Sequence, residues 1–118
     1  MVINQGDVFW GDPGTVRGSA PAGRHPFVVV QNNLFNHSRI NTVILCLITS
    51  NLSRSASPGN VRLNVGEANL DRPSVVNVSQ LYTEDKSYLG AWIGTLSPSR
   101  VRQVLDGLRL ITEPRDPA

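Results

Sequence analysis

Two periods of apolar spacing divide this chain. As far as residue 95 the hydrophobic residues fall in short, largely β-branched runs, and beyond residue 97 they return at steps of three and four. Residues 5–10 alternate well enough for a first strand, with Val8 and Trp10 on one face and Phe9 on the other. Asp12-Pro-Gly14 breaks it, and residues 11–25 follow as a long Gly, Pro and Ser loop, a length that in a small domain goes with function or mobility. Residues 27–31 read as a central strand, and 32–38 as a turn or one helical turn pinned by Leu34 and Phe35. The run Asn41-Thr-Val-Ile-Leu-Cys-Leu-Ile-Thr49 is too continuously apolar for a surface helix, so it predicts a strand buried on both faces.

After a polar loop over 53–60, residues 61–65 alternate as a half-exposed strand and 66–70 form a short turn. Residues 74–82 predict another strand, 83–87 a charged turn, and 91–95 a last short strand. Ser97 is a helix N-cap candidate with Pro98 at the first helical position, and Val101, Val104, Leu105, Leu108 and Ile111 share one helical face. Pro114 ends that helix. The predicted fold is a single domain over residues 1–118, mainly β with a C-terminal helix: a small, strongly bent antiparallel sheet or half-open barrel.

Composition fits this picture without altering it: 40% hydrophobic and 17% charged residues are ordinary for a globular chain of 118. No apolar run approaches a bilayer span and the N-terminus has no basic-then-apolar segment, so the expected setting is the cytoplasm, with no membrane. Cys46, the lone cysteine, sits inside an apolar run and reads as a core thiol. Two histidines without metal-ligand spacing call for no metal and no cofactor. Charge changes the picture more. The net value is +2, yet residues 13–66 hold no acid at all beside Arg17, Arg24, Arg39, Arg54 and Arg62. Such a field recruits polyanions, and arginine's planar fork suits phosphate.

The loop Gly18-Ser-Ala-Pro-Ala-Gly-Arg-His-Pro26 presents Arg24 and His25 from the rim of a strand, through small residues that admit a bulky ligand. Walker loops, Rossmann glycines, nucleophile elbows and paired carboxylates are lacking. What remains is Arg24, His25, Thr49, Ser50 and amides. These suit phosphoryl transfer on RNA, where the substrate's own 2′-OH is the nucleophile. An arginine offsets phosphorane charge and an imidazole moves the proton. Adjacent residues of an extended strand point to opposite sides, so Arg24 and His25 reach one phosphate together only if the loop twists.

Five stretches, in order, resemble the MazF/PemK toxins: Gln5-Gly-Asp-Val-Phe-Trp10; Gly18-Ser followed by Ala22-Gly-Arg-His-Pro-Phe-Val-Val-Val-Gln-Asn32; Leu47-Ile-Thr-Ser-Asn51; Val78-Ser-Gln-Leu-Tyr-Thr-Glu-Asp-Lys86; and Ile93-Gly-Thr-Leu-Ser-Pro98 leading into Val101-Arg-Gln-Val-Leu105. The resemblance implies a compact SH3-like barrel of the CcdB/MazF type. It further implies a homodimer that cuts single-stranded RNA, such as mRNA, at short sequences without a metal and is neutralised by a cognate antitoxin. It maps the catalytic Ser or Thr directly onto Thr49 and the catalytic arginine onto Arg24 or the neighbouring slot of His25. The commoner pattern has Arg directly before Pro, a slot held here by His25 with Arg24 one residue earlier. Ala20 replaces an acid often found after Gly-Ser, and of the usual Glu-Gln-x-Arg only Gln80 matches. Further RNA contacts are expected from Arg17, Asn32, Ser50, Asn51, Arg54 and Gln80, since amides read unstacked bases and arginines hold phosphates. The alternative is a barrel that binds nucleic acid or protein without cutting, like the gyrase-targeting CcdB relatives of the fold.

Overall fold

A computed structural model describes residues 2–11 and 24–116 of the chain. Most of the loop expected over 11–25, Arg17 and Ala20 included, lies outside the described residues. Within them six strands form one sheet: β1 (Asp7–Gly11), β2 (His25–Val29), β3 (Thr42–Thr49), β4 (Val61–Leu63), β5 (Ser74–Asp85) and β6 (Trp92–Thr95). Their spatial order is β4-β5-β3-β2-β1-β6, and every neighbouring pair is antiparallel. One helical turn, α1 (Asn33–Asn36), joins β2 to β3, and α2 (Pro98–Thr112) closes the chain.

The continuous apolar run of β3 is explained by burial on both faces. Ile44, Cys46 and Ile48 join Val8, Val28, Leu63, Val76 and Val104 on one side. Val43, Leu45 and Leu47 join Ile3, Phe9, Phe27, Val29 and Leu89 on the other. There Phe27 meets Tyr82 and Tyr88 edge-on, with centroids 5.6 and 6.0 Å apart. Cys46 is fully buried, and burial pushes its thiol up to about 12.

The sheet curls because β5 bends. On β3 the adjacent residues Leu47 and Cys46 face Asn77 and Leu81, so residues 78–80 bulge out without partners across that pair. Before the bulge, Val75 and Val76 pair with β3 on one side and β4 on the other. β5 then runs to Asp85, because Thr83, Glu84 and Asp85 pair with Ile44, Val43 and Thr42. The charged turn predicted from residue 83 therefore starts later, as a 3-10 turn at Lys86–Tyr88. Strand pairing overrides weak local propensity there.

The helical period is borne out. Ser97 caps α2 by accepting from Arg100 N–H at 3.2 Å, Pro98 opens it, and Val104 and Gly107 are its buried residues. Arg100 also donates from Nε and Nη2 to the two carboxylate oxygens of Glu67, at 2.9 and 3.0 Å, and Asn64 N–H donates to the same carboxylate at 2.7 Å. The Arg100 bond holds Glu67 below its ordinary 4.5, partial burial opposes this, and Asn64 lowers it further. No helix among the described residues is long and apolar enough to cross a membrane.

Candidate active site at one end of the sheet

β2 and β3 pair with Phe27 opposite Leu47 and Val28 opposite Cys46. Continuing that register two residues sets His25 opposite Thr49 and Arg24 opposite Ser50. His25 pairs on its other side with Gly11, Thr49 with Val75, and Val75 with Arg62. Residues directly opposite share a face, so Gly11, His25, Thr49, Val75 and Arg62 form one row across the sheet, on the face of Phe27 and Leu47. Arg24 belongs to the other face. Its guanidinium lies 4.5 Å over the ring of Trp10, a cation–π contact. Strand geometry thus points the two loop residues to opposite faces, while both contribute to the lining of one cavity at this strand end.

Thr49 is half-buried, and its Oγ1 accepts from Asn51 N–H at 3.1 Å. Asn51 turns the chain into a 3-10 helix at Leu52–Ala56, its Oδ1 accepting from Ser53 N–H at 3.2 Å and Ser53 Oγ at 2.7 Å. Arg54 is exposed on that turn, and its carbonyl accepts from Asn60 Nδ2 at 2.9 Å. Gln80 stands in the β5 bulge, half-buried, and its Oε1 accepts from the Tyr82 hydroxyl at 2.7 Å. Asn32 is elsewhere. It lies beyond the opposite end of β2, where its Oδ1 caps α1 by accepting from Leu34 N–H at 2.8 Å.

Sequence reasoning missed two groups. Asn77 is buried opposite Leu47, on the Thr49 side, and its Oδ1 accepts from Ser79 Oγ at 2.8 Å and Asn60 Nδ2 at 3.3 Å. Asn60 Oδ1 in turn accepts from Val78 N–H at 2.9 Å, so the network pins the bulge. The signal was available: an asparagine inside Ser74-Val-Val-Asn-Val78 needs partners if that strand is buried. The second group lines a cavity of about 540 Å3 reached by the predicted Arg24, His25 and Ser50, where Trp10, Pro26, Ile48, Leu70 and Ile93 meet Asn69, Asp71 and Arg72. Trp10 is a half-buried wall of this cavity.

Two opposed side chains on neighbouring strands have Cβ atoms about 4.5–5.5 Å apart, a gap that the oxygens of one phosphate can bridge. An imidazole and a hydroxyl so placed can move a proton and donate to a non-bridging oxygen. The surroundings are cationic: Arg24, Arg54, Arg62 and Arg72 all belong to this end of the sheet, while Arg39 lies at the far end, before β3.

The family described as PemK-like, MazF-like toxin of type II toxin-antitoxin system matches residues 4–112. Among curated proteins the chain is similar to Endoribonuclease MazF2 of Mycobacterium bovis and Endoribonuclease MazF6 of Mycobacterium tuberculosis. Each is 41% identical over 113 residues, covering 96% of this chain and 99% of the relative. Among solved structures, a mycobacterial endoribonuclease in complex with its cognate antitoxin superposes with a TM-score of 0.76 at 22% identity, covering 97% of this chain and 99% of that one. At that identity the superposition speaks to the fold alone: a curled antiparallel half-barrel with a C-terminal helix, as the sequence predicts.

Proposed function

This chain belongs to the PemK-like, MazF-like toxin family of type II toxin-antitoxin systems, and from that premise we propose how it cuts RNA and with which residues. It is an endoribonuclease toxin neutralised by a cognate antitoxin. The substrate is single-stranded RNA, and the reaction uses no metal. The 2′-oxygen attacks the adjacent phosphorus, the P–O5′ bond breaks, and the products are a 2′,3′-cyclic phosphate and a free 5′-OH. His25 takes the proton from the 2′-OH and returns one to the leaving 5′-oxygen. Thr49 Oγ1 donates to a non-bridging oxygen, where charge builds in the transition state. Arg24 acts from the other face, holding the chain of the substrate beside the reacting phosphate. The observation that supports this reading is the β2–β3 register with Phe27 opposite Leu47, which when extended by two residues brings His25 across from Thr49. In the commoner pattern of the family the residue before Pro is arginine; here the imidazole stands in that slot.

Ser50, Asn51, Arg54 and Gln80 serve as RNA contacts around this end of the sheet. Arg17 is kept as a further contact on sequence grounds alone. The protein works in the cytoplasm as a homodimer, for which the exposed Phe35, Ile40 and Leu81, lining an apolar cleft of about 710 Å3 beside α2, offer an association surface. An acidic antitoxin segment would compete with RNA for the cationic end.

The test is incubation of purified protein with a long, sequence-diverse single-stranded RNA in EDTA, followed by mapping of new 5′-OH ends. Cleavage at a short recurring sequence is expected. Protection without new ends would instead favour a binding barrel and overturn the nuclease reading.

A further inference from the structure

The cavity behind Arg24 has the chemistry of a base-binding pocket, and we propose that it takes the unstacked nucleobase next to the scissile phosphate. This rests on the RNA-cleaving reading of the neighbouring face. The volume of about 540 Å3 lies within the roughly 300–1,000 Å3 of sites that enclose small ligands. Apolar side chains line much of it, and there the Arg24 guanidinium carbon lies over Trp10, 4.5 Å from the ring centroid. A guanidinium plane backed by an indole is a stacking platform for a base, and single-stranded RNA is read by such stacking together with hydrogen bonds to the exposed edge.

The rim supplies the edge contacts. Asn69 Nδ2 donates to Ile93 carbonyl at 2.9 Å, which leaves its Oδ1 to accept. Ala68 and Asn69 hold left-handed φ values of 50° and 59°, with the Gly94 backbone packed against Ala68, so the rim is a fixed turn. Beside it, Asp71 accepts and Arg72 donates; their own pair is long, at 3.6 Å, and both are largely exposed, so either can turn to a ligand at little cost. A rim mixing acceptors and donors over a cation–π platform discriminates between bases, whereas a bare phosphate site would need donors alone. Position agrees: His25 and Ser50 line this cavity together with Arg24, so the pocket adjoins the proposed reacting groups at one strand end.

The experiment has two readouts. Trp92 is exposed, so a Trp92→Phe background leaves Trp10 as the sole indole. Titration of that protein with hexamers of dA, dC, dG and dT, which lack the 2′-OH and resist cleavage, should quench Trp10 fluorescence with one base preferred. Asn69→Ala and Asp71→Ala, both at exposed positions, should erase that preference, and Trp10→Phe should weaken binding within the range of about 5- to 150-fold that a stacked base represents. In parallel, cleavage of a randomised RNA by the rim variants should lose selectivity at one nucleotide position while new 5′-OH ends still form. Unchanged preference at every position in both variants, with cleavage retained, would overturn the pocket and leave the nuclease standing. Quenching that depends on the rim in a protein that cuts no RNA would do the reverse. No quenching with any hexamer overturns the pocket outright.

Discussion

In the proposed site the side chain at position 25 decides the proton chemistry. If His25 moves the protons, His25→Ala should lower the cleavage rate by about 10²- to 10⁴-fold with the fold intact, as measured by single-turnover assay and circular dichroism. His25→Arg, which restores the order Arg-Pro seen in the commoner pattern of the family, should keep cleavage but lose one limb of the pH–rate profile. An unchanged profile in His25→Arg would remove the imidazole from the chemistry. Thr49→Val, nearly isosteric, should cost about 10- to 150-fold, the value of one hydrogen bond to a charged group. A second residue-scale expectation concerns Cys46. With its thiol pushed up to about 12 by burial, almost no thiolate exists at neutral pH. A disulfide reagent should therefore titrate one thiol in denaturant and none in the native protein over the same minutes. The places of His25 at the start of one strand and Thr49 at the end of another were legible in the sequence. Their opposition was not, because register depends on which residues pair across strands.

The elements differ in how openly the chain declares them. α2 was legible from Ser97-Pro98 and a sustained three-and-four step, and β3 from an apolar run too long to be half-exposed. The second half of β5 was not, since Thr83-Glu-Asp85 has no strand signal of its own and is extended only by pairing with β3. Residues 66–70 read as a plain turn because nothing local marks a turn as a cavity rim. Where α2 docks, packing reverses the usual preference. Gly107 lies mid-helix, where alanine would ordinarily gain up to about 1 kcal/mol, but a Cβ there would press on the Gly59 carbonyl. Overpacking against backbone costs about 1–3 kcal/mol, so Gly107→Ala should lower Tm, and a rise would mean that α2 slides freely. The Glu67–Arg100 pair holds the other end of that docking. Because Glu67 is lowered when folded, its contribution is present above the ordinary glutamate value of 4.5 and lost as pH falls through the depressed one. Glu67→Gln should thus cost about 1 kcal/mol at neutral pH, and the difference from the parent protein should vanish in acid.

Over the whole molecule, a net charge of +2 hides an arrangement that is sharply uneven. Arg54 and Arg62 flank the end of the sheet that carries His25 and Thr49, and Arg39 lies at the other, past the full eight residues of β3. At about 3.3 Å per residue that strand separates the two ends by roughly 25 Å, more than the Debye length of about 8 Å at physiological salt. Arg39 is therefore electrostatically remote from a phosphate at Thr49, although it belongs to the same acid-free stretch of sequence. Each phosphate held by a cation on a single strand contributes about −0.7 to the slope of log affinity against log salt. Removing Arg54 should flatten that slope by about 0.7 and weaken RNA binding, as read by fluorescence anisotropy over a salt series with an uncleavable oligonucleotide. Removing Arg39 should leave both slope and affinity where they were. Equal effects from the two substitutions would mean that RNA spans the whole sheet, and that the cationic stretch acts as one surface instead of as a site at one end.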